Sequence, residues 1–488
     1  MAFDMKYDLL NLLDEHSDKL AEVPQEELDR KSGIILETLK YCKVKVNGVT
    51  SHPGPRVSSY SLSLEPGARV SSVRRRELEL RESLRASIRI NCDGESLDIE
   101  VPNDKSSPVP LKSLLSDESV RKVVSEYALP IVLGLTVKGV AKTFDLTDSP
   151  HLLLAGATKQ GKTCCINEMM ASLLLAKEPD DLKFVLIDPR MCELSVYSGI
   201  ADSYLARLWP ESGSLNPGII HSIEQTEETL DALCREMELR YELFAKTGVD
   251  GIRSYNGTVR SGQLPSDEEH RHLPYIVCVI DELADLLFER VRSRKIENSI
   301  IRLAQRGRAA GIHLIVATQR PSRNVISGLL KSNFPTRIAF RTSSNIDSRV
   351  IIDADGAEKL TGSGDCLYSC GSELVRVQSA LIENAETARI VECLGSSEAS
   401  PYCLPAPEIC PPVRIGASDA LLADAAELVV IRRQCSISLL QRELAIGFAR
   451  AGRIVSQLET AGIVGPENGS RPREVLVKDI AELRRIIS

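Results

Sequence analysis

The chain has 488 residues, 43% of them apolar and 26% charged, which is the composition of an ordinary folded protein with several domains. Its net charge of −8 excludes a uniformly basic coat for nucleic acid but not a local basic channel, and 4% aromatic residues argue against aromatic base-stacking platforms. No stretch approaches the roughly 18–20 apolar residues that a membrane-spanning helix needs. The N-terminus lacks the charged-then-apolar signature of a secretion signal. The thirteen cysteines include no C-x-x-C pair, so they read as reduced thiols of a cytoplasmic protein without structural zinc.

In chain order, residues 1–32 are charged and weakly helical, an arm or a docking helix. Residues 33–129 read as a small α+β domain. A helix is expected over Ile34–Lys43, an alternating strand over Val57–Leu64 and a turn at Pro66-Gly67. A charged helix over Val73–Arg85 and a strand over Ser87–Asn91 follow.

Residues 130–395 carry an α/β signal. Apolar strands at Leu152–Ala155, Phe184–Ile187, Ile276–Ile280, Leu314–Ala317 and Ile338–Phe340 alternate with helical segments, which predicts a mainly parallel sheet. Ligands of such sheets sit beyond the carboxyl ends of the strands. Residues 396–418 are rich in proline and read as a linker. Residues 419–488 read as three helices over Leu421–Arg432, Ser438–Leu444 and Phe448–Ala461, with a wing near Gly469: winged-helix spacing.

The chemistry concentrates at those strand ends. Gly156-Ala157-Thr158-Lys159-Gln160-Gly161-Lys162-Thr163 fits the G-x-x-x-x-G-K-[ST] pattern, with an apolar strand before it and a helix from Cys164 after it. Glycines let the backbone amides turn toward phosphate oxygens at a helix N-terminus. Lys162 is expected to reach the β- and γ-phosphates of ATP, and Thr163 to ligate Mg2+. Asp281 and Glu282 end another apolar strand, where Asp281 can hold magnesium and Glu282 can polarise the attacking water. Gln319, at a third strand end, can sense the γ-phosphate. Asp188 either supports this site or starts a turn.

The cationic residues leave alternatives open. Arg302, Arg306 and Arg308 are either a solvated face or the source of an arginine finger, a guanidinium delivered to a neighbour's γ-phosphate. Arg292, Arg294 and Lys295 either contact a DNA backbone or form a solvated loop. Arg450 and Arg453 lie on the third helix of the near-neutral terminal unit, the groove-reading element of a winged helix.

Several of these runs resemble the FtsK/SpoIIIE DNA translocases. They are His151–Thr163, Ile187–Gly199, Leu273–Leu287, Arg302–His313 and Ala317–Arg349. The segment Gly54–Arg89 is similar to that family's α domain. Ser436–Ser438, Gln441-Arg442, Ile446–Phe448 and Arg450-Ala451 are similar to its γ winged helix. The resemblance implies a RecA-like P-loop motor assembled as a hexamer around double-stranded DNA, hydrolysing ATP with Mg2+, in chromosome or plasmid segregation or DNA transfer. A recombinase or a division-site protein would be its partner; family members commonly carry N-terminal membrane spans and a long linker, and since this sequence shows neither, no direct membrane insertion is expected. It also implies that Arg308 is the finger.

The chain departs from the family pattern at Lys159-Gln160 and Arg190. It also carries Ala445 and Ala449 where sequence-reading members place base-contacting side chains, which leaves backbone contacts through Arg450 and Arg453. Two other readings are a protein-secretion ATPase on the same motor and a nucleotide-switched DNA-binding module. The single motor with a γ-like unit disfavours the first, and Glu282 disfavours the second.

Overall fold

A strand buried along its whole length needs cover on both faces, and the apolar runs of this chain obtain it. In the computed structural model, residues 7–17, 22–93, 96–208, 218–264, 270–288, 290–395, 401–405, 421–444, 447–460, 463–465, 475–477 and 483 are described. The chain divides into two units, Met1–Pro407 and Glu408–Ser488.

The first unit begins with a four-stranded antiparallel sheet. Its strands are β1 (Val46–His52), β2 (Val57–Leu64), β3 (Arg89–Asp93) and β4 (Ser96–Pro102), in the order β1-β2-β4-β3. The helices Gln25–Tyr41 and Glu77–Leu84 cover one face, burying Leu28, Ile35, Leu39 and Leu80 against Tyr60, Ile99 and Val101.

The motor sheet follows. Its strands are β5 (Pro130–Thr136), β6 (Ala141–Asp145), β7 (His151–Ala155), β8 (Leu182–Ile187), a short β9 (Ala206–Leu208) outside the main sheet, β10 (Ile219–Ile220), β11 (Tyr275–Ile280), β12 (Ile312–Thr318), β13 (Thr336–Phe340), β14 (Asp365–Cys370) and β15 (Glu373–Ser379). The order is β10-β8-β11-β12-β7-β13-β14-β15-β5-β6. Pairing is parallel from β10 to β13 and antiparallel from β13 to β6. The helices Ile223–Thr247 and Arg290–Ala310 cover one face. The helix Lys162–Ala176 lies on the other, buried nearly all round, as its apolar composition demands.

The five expected strands are all present and parallel to one another. Other expectations change. The first long helix starts at Gln25, not Ile34, and so runs across the division placed at residue 33. The charged helix over Val73–Arg85 is two helices, Val70–Arg74 and Glu77–Leu84. Residues 111–124 were assigned to the small domain, yet Leu111, Leu114, Leu115, Val120 and Val124 are buried in the motor core. The stretch read as a linker contains β16 (Tyr402–Leu404), paired in parallel with β9. The phenol of Tyr402 explains this docking: it donates to Glu236 and accepts from the buried Arg240. The N-terminal segment is also held, with the Asp14 amide and the His16 ring bonded to the Glu386 carboxylate.

The second unit contains the helices Leu422–Arg432, Ile437–Leu444 and Phe448–Thr460 around Val429, Leu440, Ile454 and Leu458. Val464 and Val475 form one antiparallel bridge. The wing expected near Gly469 and the position of Ala445 lie outside the described residues. No helix among the described residues is long and apolar enough to cross a membrane.

Candidate nucleotide-binding site

The glycine loop leaves β7 at Gly156 and enters its helix at Lys162. Two glycines are sterically required. A Cβ on Gly156 would lie 2.6 Å from the Cβ of Phe340, and Gly161, at φ +115°, would place one 2.6 Å from the amide nitrogen of Gly364. The loop therefore rests on β13 and on the turn before β14. The amide of Ala157 donates to Arg341 O at 2.9 Å, and that of Gly364 donates to Gln160 O at 2.8 Å. Lys159 takes the left-handed conformation at φ 61° without being glycine.

The strands β11 and β7, parallel and separated by β12, bring the acidic pair and the loop to the same rim of the sheet. The Lys162 ammonium is buried and donates to Asp281 Oδ1 at 2.8 Å and to Asp281 O at 2.5 Å. Burial pushes the Asp281 carboxyl above the usual carboxylate range, while the Lys162 charge pulls against that rise. Asp281 Oδ2 is buried and has no hydrogen-bond partner among the described residues. The unpaired Asp281 oxygen and the hydroxyl residue Thr163, which lines the cavity and follows Lys162 in the chain, supply the oxygen ligands that a hydrated magnesium ion takes. The residues present therefore fit that ion.

Glu282 is fully buried and held from three sides. Its Oε1 accepts from the Thr318 hydroxyl at 2.6 Å, and its Oε2 accepts from the Gln319 amide at 2.9 Å and lies 3.3 Å from Arg190 Nη2. The Gln319 side chain accepts from the Thr158 hydroxyl at 2.9 Å. A continuous chain of bonds thus links the phosphate loop to the carboxylate through Gln319. A cavity of about 530 Å3 opens over this group, lined by Ala157–Lys159, Gly161–Cys164 and Gln319 among others. The Cys164 thiol, pushed up to about 11 by burial, points its Sγ at the carbonyls of Ala380 and Ile382.

Asp188 belongs to a turn. Its carboxylate accepts from the backbone amides of Arg190, Cys192, Glu193 and Leu194. Arg190, seen in the sequence only as a departure from a family pattern, does more. It bonds Asp285 at 2.7 Å, which with the nearby carboxylates raises its pKa, and it braces Glu282. Thr318, which the sequence places at a strand end without a role, donates its hydroxyl to Glu282.

Arg308 lies elsewhere. It occupies the last turn of Arg290–Ala310, beside the amino end of β12, and bonds Thr147 O at 3.2 Å before β7 begins. The glycine loop is at the opposite, carboxyl end of β7. A strand of that length spans about 15–20 Å, so Arg308 cannot serve the site of its own subunit. It is exposed, and its acidic neighbour among the described residues is Asp148 at 3.5 Å. Arg302 pairs with Glu238, and Arg306 stacks on the Tyr241 ring.

The basic cluster is largely neutralised. Arg292 pairs with Glu224 and Lys295 with Glu227 on the neighbouring helix, which leaves Arg294 exposed. Arg450 is half-buried on the helix Phe448–Thr460; the side chains of Arg453 and Ala449 on that helix are outside those described.

The family model for the FtsK/SpoIIIE family matches residues 111–323, that for the FtsK alpha domain 9–103 and that for the Ftsk gamma domain 416–478. The DNA translocase FtsK of Chlorobaculum tepidum is 38% identical, over 99% of this chain and 60% of that protein. The DNA translocase FtsK of Oceanobacillus iheyensis is 41% identical, over 89% of this chain and 54% of its own length. The chain belongs to the FtsK/SpoIIIE family. It thus spans about 60% or less of the length of these FtsK relatives. In fold, this FtsK/SpoIIIE member is similar to the pCW3 conjugation coupling protein TcpA, solved as a monomer with ATPgS. The TM-score is 0.50 at 22% identity, over 75% of this chain and 99% of that one.

Proposed function

We propose that this chain is the motor of an ATP-driven translocase for double-stranded DNA, working as a closed ring, a hexamer by family resemblance. The observation that carries the reading is the hydrogen-bonded run from Thr158 through Gln319 to Glu282, ending beside the Lys162–Asp281 pair. A static nucleotide switch has no need to couple its phosphate loop to a braced, buried carboxylate.

In this reading the loop amides and Lys162 hold the triphosphate. Thr163 and Asp281 hold Mg2+, which when bound neutralises charge developing on the β- and γ-phosphates. Glu282 orients the attacking water once it exchanges its bond to the Gln319 amide or to Arg190. Gln319 reports loss of the γ-phosphate through its bond to Thr158. Arg308 completes the site of the next subunit, so hydrolysis depends on assembly. The γ unit supplies backbone contacts to DNA through Arg450 and Arg453, and Arg294, with Arg292 and Lys295 released from their glutamates, adds charge on the motor.

The test is steady-state ATP hydrolysis with and without long linear double-stranded DNA, with Lys162→Ala as control. Stimulation by DNA that disappears in the control supports the motor. Hydrolysis indifferent to DNA overturns it and points to a protein substrate.

A further inference from the structure

The apex of the glycine loop carries a side chain where the backbone favours none. Lys159 sits at φ 61°, in the left-handed region, where a Cβ is crowded and glycine is not. Such a conformation persists only where the surroundings fix it, and strained residues of this kind gather at sites that hold ligands.

The surroundings do fix it. Before Lys159, the Thr158 hydroxyl donates to the Gln319 side chain at 2.9 Å. After it, Gln160 O accepts from the Gly364 amide at 2.8 Å, and Gln160 Nε2 donates back across the apex to Thr158 O at 3.2 Å. A Cβ on Gly362 would lie 2.4 Å from Gln160 Oε1, so the turn before β14 closes against the loop. Both neighbours of Lys159 are tied, and Lys159 is held out between them.

What it presents there is an uncommitted charge. Lys159 is exposed and lines the cavity, and its ammonium has no ion-pair or hydrogen-bond partner among the described residues. Lys162, the other lysine of the loop, is buried and already engaged with Asp281. Glu193 lines the same cavity, and its carboxylate opposes a triphosphate. A free cation at the loop apex offsets that repulsion. Lysine suits the place, because an ammonium on a flexible four-carbon stem can follow phosphate oxygens.

We propose that Lys159 is a second phosphate-binding lysine of this loop, its ammonium pairing with the terminal phosphates of the bound triphosphate. It recognises the anionic phosphate chain and not the base or the sugar. Glycine at this position would relieve the backbone but remove the charge. The proposal rests on the ATP-site reading above.

The test is equilibrium binding of ATP and inorganic tripolyphosphate to the full chain and its variants, at low and high salt. Lys159→Gln removes the charge and keeps a polar side chain. It should weaken both ligands by about tenfold, the loss of a hydrogen bond between charged groups. That loss should shrink at high salt, where an exposed ion pair is screened. Lys159→Arg keeps the charge and should bind both ligands more tightly than Lys159→Gln. Lys159→Gly should lose affinity as Lys159→Gln does, while its denaturation midpoint does not fall. Unchanged affinity in Lys159→Gln or Lys159→Gly overturns the proposal. So does an equal loss in Lys159→Gln and Lys159→Arg, which would assign the effect to the conformation of the loop. Lys162→Ala separates the two readings: binding that the unaltered chain shows and Lys162→Ala lacks supports the nucleotide site whatever Lys159 does. If the unaltered chain binds neither ligand, the nucleotide site itself is wrong.

Discussion

The two rims of the motor sheet are made on different terms. At the carboxyl ends of β7, β11 and β12, the three charges beside the glycine loop are buried and held: Lys162 with Asp281, and Glu282 by Thr318, Gln319 and Arg190. At the amino ends, Arg308 is exposed and makes one long contact to Asp148 and one bond to a carbonyl. Groups that must act on arrival of substrate are preorganised, which lowers the reorganisation needed at reaction. A group that acts on another molecule stays loose until it meets it. On the function proposed above, the difference means that one subunit holds most of a catalytic site and lends the missing arginine to another.

The largest expected effect tests that loan. Arg308→Ala should lower turnover by about 10³-fold or more while ATP binding is retained. Mixing it with Glu282→Gln should restore turnover above either variant alone, since the first keeps an intact acidic pair and the second an intact arginine. Hydrolysis rates of the mixed proteins check this. No gain on mixing would return Arg308 to the solvated face.

Next comes the rigidity behind the built rim. The buried Arg376 of β15 bonds Asp365 of β14 and Glu100 of β4; Arg376→Ala leaves Asp365 a buried charge without its cationic partner, while Glu100 keeps Arg89, so about 3–5 kcal/mol of stability should be lost in denaturant unfolding. Burial works to raise the pKa of Asp365, but the Arg376 charge and hydrogen bonds prevail and hold it below the usual carboxylate range. Its contribution is therefore full above that range and lost as pH falls through the lowered value. The variant should show a weaker acid dependence of stability; an unchanged profile would sever this network from the stability of the rim.

The smallest of the three effects concerns the brace itself. Arg190→Ala should lower kcat by about tenfold through misplacement of Glu282, with ATP affinity little changed. A variant with unaltered kcat would mean that Thr318 and Gln319 suffice to hold that carboxylate.

The parallel half of the sheet was legible because its strands are apolar throughout and end in residues with a recognised chemistry: Gly156, Asp281 and Thr318-Gln319. The antiparallel half was not. Strands such as Glu373–Ser379 mix charged and polar residues with short apolar stretches, and Arg376 looks like a surface residue until Asp365 and Glu100 are placed around it. Arg190 escaped for the same reason: an arginine's role is set by what long-range folding brings to it. The proline-rich stretch near residue 400 read as a linker because nothing local reveals that the Tyr402 phenol meets a buried Glu236–Arg240 pair.

Placing donor and acceptor on opposite rims also governs how copies can join. On the proposed reading, a head-to-tail, heterologous contact sets the arginine rim of each subunit against the phosphate rim of the next. Such a contact has a direction, so every copy faces the same way around the circle. An open row always ends in one subunit whose site no arginine reaches. Closing the circle removes that last idle site.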